Sequence, residues 1–153
     1  LRVLSPRALL PALRAELALP ELSPEQIEAL RIEAAIPKLG GDLSPRNFPQ
    51  EARLERAFSL KKGCYVGQEI VARIASRGAV NRLLVKLRTR ALVAPGSEIR
   101  LADTVVGQVT SSAVSMASGP IALGYVRVAE ARAGVELEIG PTRGEIVEDY
   151  SRR

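Results

Sequence analysis

The stretch Lys61-Lys62-Gly63-Cys64-Tyr65-Val66-Gly67-Gln68-Glu69 holds the chain's single cysteine. A thiol reacts as its thiolate, and nearby positive charge or a helix N-terminus favours that form. Lys61 and Lys62 stand beside Cys64 in sequence. Gly63 and Gly67 allow the backbone to turn sharply or to approach a ligand closely. A helix opening near Gly67 would bring unpaired N–H groups close to the sulfur. Gln68 and Glu69 would then occupy its first turn, where a carboxylate is favoured. The same residues also suit a plainer role, because a lone cysteine is most often a small buried hydrophobe. Nucleophile, ligand and packing residue all stay open on these residues alone.

Composition narrows the chemistry. The chain has no histidine, which excludes a Ser-His-Asp triad or a Cys-His pair made within it. One cysteine excludes an internal disulfide, a thiolate zinc site and a self-contained iron–sulfur site. No metal site is expected, since only carboxylates are left to hold one and no EF-hand spacing occurs. The net charge is +5 and the pI near 9.9. Between Glu69 and Glu98 there is no acidic residue, while Arg73, Arg77, Arg82, Lys86, Arg88 and Arg90 fall there. A basic cluster attracts polyanions, or it is a solvated strand face. A nucleic-acid binding module is one reading of that run. The 3% aromatic content argues against it, because single-strand binders stack bases on aromatic rings.

The elements that must position Cys64 can be read from pattern. The 153 residues suit one or two small domains, and 46% hydrophobic content suits a packed fold. Residues 1–4 can close a strand. Ser5 and Pro6 can open a helix whose stripe is Leu9, Leu10, Leu13 and Leu17, with Pro11 as an obstacle. Ser23, Pro24 and Gln26 form a capping-box signature, followed by Ile27, Leu30 and Ala34 at helical spacing and by Pro37 as a stop. Residues 38–63 are rich in turn signals, with a short helix expected over "QEARLERAF". After residue 76 the texture changes to short alternating segments: "AVNRLLVKLRTRA", "SEIRLAD", "TVVGQVTSSAVS", "PIALGYVRV", "GVELEIG" and "RGEIVEDY". Turn residues separate them at Pro95-Gly96, Ala102-Asp103, Ser118-Gly119 and Ala133-Gly134. This spacing predicts a small antiparallel barrel or sandwich. The fold class is therefore α+β, divided at 1–76 and 77–153.

No apolar run approaches the roughly 20 residues that cross a bilayer. No secretory signal is visible, and a cytoplasmic location with no membrane partner is expected. The chain opens on Leu1, and its one methionine is Met116. It is expected to be the C-terminal part of a longer protein.

"KKGCYVGQEIVAR" resembles the K-G-C-Y-x-G-Q-E hallmark of the YgfZ family of folate-binding proteins. These are relatives of the glycine cleavage T-protein, an aminomethyltransferase. "ALRIEAAIP", "NFPQE", "RGAVNRLL" and "GQVTSS…IALGYVR" are similar to further segments of that family. The resemblance implies the end of a T-protein-like folate-binding region (1–76) followed by the C-terminal β-barrel (77–153). It implies tetrahydrofolate or another folate as cofactor, and a role in assembly or repair of iron–sulfur clusters. The partners it implies are iron–sulfur client enzymes, including tRNA-modifying ones, and the N-terminal part of the same protein. It gives Cys64 as the reactive residue, with Lys62, Gly63, Tyr65, Gly67, Gln68 and Glu69 as its motif companions. Arg31 and Glu33 match an R-I-E segment near the folate, and a guanidinium at Arg31 can take a folate carboxylate bidentately. Its alternative is a surface helix salt bridge. Ala35 stands where the family has glycine, and Glu51 is expected near the motif loop, either there for a reason or as a solvated cap. A classical aminomethyltransferase is the enzyme alternative; the cysteine motif argues against it.

Overall fold

The computed structural model of the chain describes residues 6–77 and 80–148, without the side chain of Arg77. The expected strand over 1–4, the Ser5 cap, Arg77 of the basic run, residues 78–79 at the barrel entry and residues 149–150 of the last expected strand lie outside that description.

Six strands close into an antiparallel barrel: β1 (Arg82–Thr89), β2 (Glu98–Leu101), β3 (Thr104–Ser115), β4 (Gly119–Arg127), β5 (Glu136–Ile139) and β6 (Thr142–Ile146). Their order around the barrel is β1-β4-β3-β2-β5-β6, and β6 pairs back onto β1. All six expected segments became strands. Alternation along each strand decides which side chains face inward. Val85 and Leu87 of β1, Ile99 of β2, Val106 and Val109 of β3, and Ile139 and Ile146 of β5 and β6 fill the interior. Aromatic rings are not needed there, because β-branched residues pack well on a pleated, curved sheet. The β2–β3 hairpin turns at Ala102, whose φ of 49° lies in the left-handed region that tight hairpin turns demand.

Strand β4 departs from simple alternation. From Ile121 to Val126 every residue is buried. Ala122 and Val126 join the barrel interior, while Ile121, Leu123 and Tyr125 meet Ile32 and Leu84 in a second cluster outside it. A strand covered on both sides reads as a continuous apolar run, which is why "PIALGYV" looks as it does.

The cover is α2 (Pro24–Glu33). Ser23 caps it through a complete capping box: its hydroxyl accepts from the Gln26 N–H, and the Gln26 side chain accepts from the Ser23 N–H at 2.8 Å. The buried face of α2 is Ala29 and Ile32; Ile27 and Leu30 of the expected stripe are half-exposed. Periodicity found the helix but not the face that packs, because α2 is apolar on both sides. The helix ends in a Schellman motif, with Ile36 N–H donating to the Arg31 carbonyl at 3.0 Å and Ala35 N–H to that of Ile32 at 2.9 Å. Ala35 occupies the left-handed position at φ 51°, which explains why glycine would suit it.

Ahead of α2, a 3-10 turn (Arg7–Leu9) runs into α1 (Leu10–Leu17), which buries no residue. Pro11 is no obstacle, since α1 starts at Leu10 and the ring sits in the first turn, where no N–H is required. "QEARLERAF" forms only a 3-10 turn at Glu55–Ala57 in place of the expected short helix. Helix α3 (Gln68–Arg77) follows the cysteine loop.

Candidate functional site

The cysteine loop is held at its far end. Helix α3 begins at Gln68, and Gly67 turns into it at φ 84°, a backbone angle that requires glycine here. Gly63 lies outside the left-handed region, and a Cβ on it would meet nothing within 4 Å. Of the two expected hinges, only Gly67 depends on being glycine. The Gln68 side chain accepts from the Tyr65 N–H at 3.3 Å, and Gln68 N–H donates to the Tyr65 carbonyl at 3.1 Å. This reciprocal pair closes the loop onto the helix start. Glu69 is paired with Arg73 one turn on, at 2.7 Å. Lys62 places its ammonium 4.8 Å from the centre of the Tyr65 ring, a cation–π contact.

Cys64 is exposed, with a free thiol, and Val66 beside it is wholly in solvent. The sulfur is therefore not a packing residue in this chain. Beneath the loop, the Tyr65 hydroxyl is buried and has no hydrogen-bond partner among the described residues. Gln50 donates from its amide nitrogen to the Val71 carbonyl at 2.9 Å, which pins α3, yet its buried Oε1 also has no partner among those residues. Buried polar atoms without partners are costly and call for an explanation. Both unmet atoms belong to residues next to α3.

Arg31 and Glu33 lie away from solvent traffic, on the barrel side of α2. All three Arg31 side-chain nitrogens are engaged. Nε and Nη2 form a fork on Glu28 at 3.0 and 2.6 Å, and Nη1 donates to Asp42 at 2.7 Å and to the Ile36 carbonyl at 2.6 Å. Burial works against the charge on Arg31, but Glu28 and Asp42 more than offset it and raise its pKa. The bond from Arg31 in turn lowers the pKa of Glu28, against a smaller opposing effect of burial. Glu33 accepts from the Ser115 hydroxyl of β3, and its carbonyl takes the Lys86 ammonium at 3.0 Å. These residues tie the helix to the barrel and do not fit a folate tail as they stand.

Asp42 is the centre of that junction, and pattern reading did not find it. Its side chain is fully buried. It accepts from Arg31, from the Lys38 N–H at 2.9 Å, from the Thr110 hydroxyl and from Ser111 at 2.7 Å. Its carbonyl takes the Tyr125 hydroxyl at 3.1 Å. Glu51 is a second buried acid, not the solvated cap that was one expectation. It accepts from Arg82 at 3.2 and 3.4 Å, while Arg82 lies 4.9 Å from the centre of the Tyr125 ring. Burial, with the charges of Glu51 and Asp42 adding to it against Arg82, pushes the Tyr125 hydroxyl up to about 12. No local signal marks Asp42 in the sequence, and none gives Glu51 its tie to Arg82, since the barrel groups they meet lie far along the chain.

Residues 82–148 match the model of the glycine cleavage T-protein C-terminal barrel domain. The barrel is thus similar to that of the T-protein, and the chain as a whole is similar to aminomethyltransferases. It is 35% identical over 115 residues to an aminomethyltransferase of Symbiobacterium thermophilum, covering 73% of this chain and 31% of that protein. It is 34% identical over 123 residues to a putative chloroplastic transferase of Arabidopsis thaliana, covering 80% of this chain and 28% of that one. An aminomethyltransferase of Corynebacterium aurimucosum is 38% identical over 118 residues, with 32% of its length covered. The crystal structure of the glycine cleavage system aminomethyltransferase T from Bartonella henselae superposes with a TM-score of 0.80 over 95% of this chain and 43% of that chain. Identity there is 24%, so the likeness is one of fold. The chain thus spans about a third of the length of the curated proteins it matches. Among its described residues no helix is long and apolar enough to cross a membrane.

Proposed function

We propose that the protein is a folate-binding accessory factor of the YgfZ type, which supports assembly or repair of iron–sulfur clusters in enzymes such as those that modify tRNA. The observation that carries this reading is the exposed Cys64 thiol on a loop fastened to α3 by Tyr65, Gly67 and Gln68. A fixed loop whose one reactive group stands in solvent is suited to offer that group to another molecule. A free thiol also suits a reducing compartment such as the cytoplasm.

Folate belongs to this proposal as the cofactor of the family. Arg31 and Glu33 are committed to the junction, so the walls of its pocket have to come from elsewhere. An N-terminal region of the T-protein kind is the partner we assign to that task. The outward apolar side chains of α1 and α2, among them Leu10, Leu17, Ile27 and Leu30, suit such a neighbour.

Aminomethyl transfer is the second reading, favoured by the names of the relatives. Two measurements on the intact protein separate the readings. Cys64→Ala should bind tetrahydrofolate as the wild type does and lose its support of iron–sulfur enzyme activity in cells. Full support by that variant sinks the accessory reading. Turnover of a methylamine-loaded lipoyl carrier, unaffected by Cys64→Ala, would place the protein with the transferases.

A further inference from the structure

Helix α3 carries the cysteine loop, yet few contacts hold it to the remainder of the molecule. Of its described side chains only Val71 is buried, at 7% exposure. Its other polar contacts stay within the loop and the helix: Gln68 with Tyr65, Val71 with Gly67, Arg73 with Glu69 and Ser76 with Arg73. Among the described residues one hydrogen bond reaches α3 from elsewhere, the 2.9 Å bond from the Gln50 amide to the Val71 carbonyl.

Gln50 stands on a firm base. It is 9% exposed, and Ala52 beside it is 1% exposed. The turn that carries it is closed from Arg53 N–H to the Gln50 carbonyl at 3.2 Å and from Leu54 N–H to the Pro49 carbonyl at 2.9 Å. Glu51 ties this turn to β1. Its carbonyl accepts from the Leu84 N–H at 2.8 Å, and its carboxylate accepts from Arg82. Adjacent residues thus bind different neighbours, Glu51 the barrel and Gln50 the helix. The Gln50 amide has one usable direction here, because its oxygen turned toward the Val71 carbonyl would set two acceptors together.

We propose that Gln50 is a positioning residue for Cys64: through Val71 it fixes α3, and with α3 the cysteine loop, relative to β1. Val71 N–H donates to the Gly67 carbonyl at 3.2 Å, and Gly67 opens the helix directly behind the loop, so a shift at Val71 carries the thiol with it. Gln50 lies outside the cysteine motif. The use made of that position rests on the function proposed above; the position itself does not.

Cys64 is the chain's single cysteine and is exposed, so a nitroxide attached to it reports the loop directly. A second nitroxide on Leu101→Cys, on β2, gives the distance from loop to barrel by pulsed electron paramagnetic resonance. One narrow distance distribution is expected with Gln50 in place. Gln50→Met keeps the length of the side chain and has no donor. It should spread the distribution and speed amide exchange along α3 roughly five- to tenfold, while β1 and β4 stay protected. Gln50→Glu should spread it at about pH 9, where an ionised carboxylate faces the Val71 carbonyl, and restore it at about pH 5, where the protonated group donates again. Ile32→Ala empties the cluster under α2 and should leave the distribution narrow. An unchanged distribution in Gln50→Met would overturn the proposal. So would a Gln50→Glu chain indifferent to pH, or equal spreading in Ile32→Ala, since the loop would then follow the general stability of the segment. A clear Gln50 effect alongside full iron–sulfur support by Cys64→Ala would sink the accessory reading and leave the positioning role standing.

Discussion

The barrel and the segment that precedes it keep their shape by different means. In the barrel, sixteen of the described apolar residues from Leu84 onward are buried, and five large ones are exposed. Before it, among the described residues, the buried apolar ones are Ala29, Ile32, Ala52 and Val71, while thirteen large apolar side chains stand in solvent. The barrel is held by its own apolar interior. The segment is held by polar junctions: Asp42 under α2, Glu51 under Arg82, and Gln50 under α3. A region that relies on buried acids and a few hydrophobic contacts is placed by its neighbour and not by its own core.

That contrast can be broken at its strongest point. Asp42→Ala removes the acceptor of Arg31, Thr110 and Ser111 and should cost about 3–5 kcal/mol, because Arg31 keeps only the acid Glu28 and the Ser111 hydroxyl loses its buried partner. Hydrogen exchange should show α2 losing protection while β1 and β4 keep theirs. Equal loss in both would mean that the two regions unfold as one.

A pair of truncations on α2 sharpens the comparison. Ile32→Ala should cost about 2–4 kcal/mol in urea denaturation, by emptying the cluster with Leu84, Leu123 and Tyr125. Leu30→Ala, on the outward side, should stay within about 0.5 kcal/mol.

The junction should also respond to pH at both ends. The Tyr125 hydroxyl has a folded pKa of about 12, above its ordinary value of 10.0. The stability it contributes is complete below pH 10 and is lost as pH rises toward 12; Tyr125→Phe should remove that component of the alkaline profile. Glu28 has a lowered folded pKa, so its contribution is present above the ordinary glutamate range and is lost as pH falls through the folded value. Thermal melts across pH would follow both limbs. A small gain is expected at the end of α2: Ala35→Gly relieves a left-handed alanine and should raise stability by about 0.5–1 kcal/mol.

Legibility in the sequence followed the same division. The strands and the capping box at Ser23 were readable, because alternation and capping are local patterns. The start of α3 was readable from Gly67 and the polar residues after it. The packing face of α2 was not, since Ile27, Leu30 and Ile32 are equally apolar and only the barrel decides among them. Asp42 sits in a loop beside Gly40 and Gly41 and looks like any turn acid. Its acceptor role depends on Thr110, Ser111 and Tyr125, whose nearness is a product of the fold. Arg31 could be named as an anion binder from its type, but the anions it holds are the chain's own.

The closure of β6 onto β1 has a consequence for how this molecule can join others. A ring of strands has no unpaired rim, so a foreign backbone has nowhere to extend the ladder. Whatever attaches here must do so through side chains, and oily ones are plentiful on the helical flank. If the isolated chain clumps, mild detergent should disperse it, with the ring still intact inside each particle.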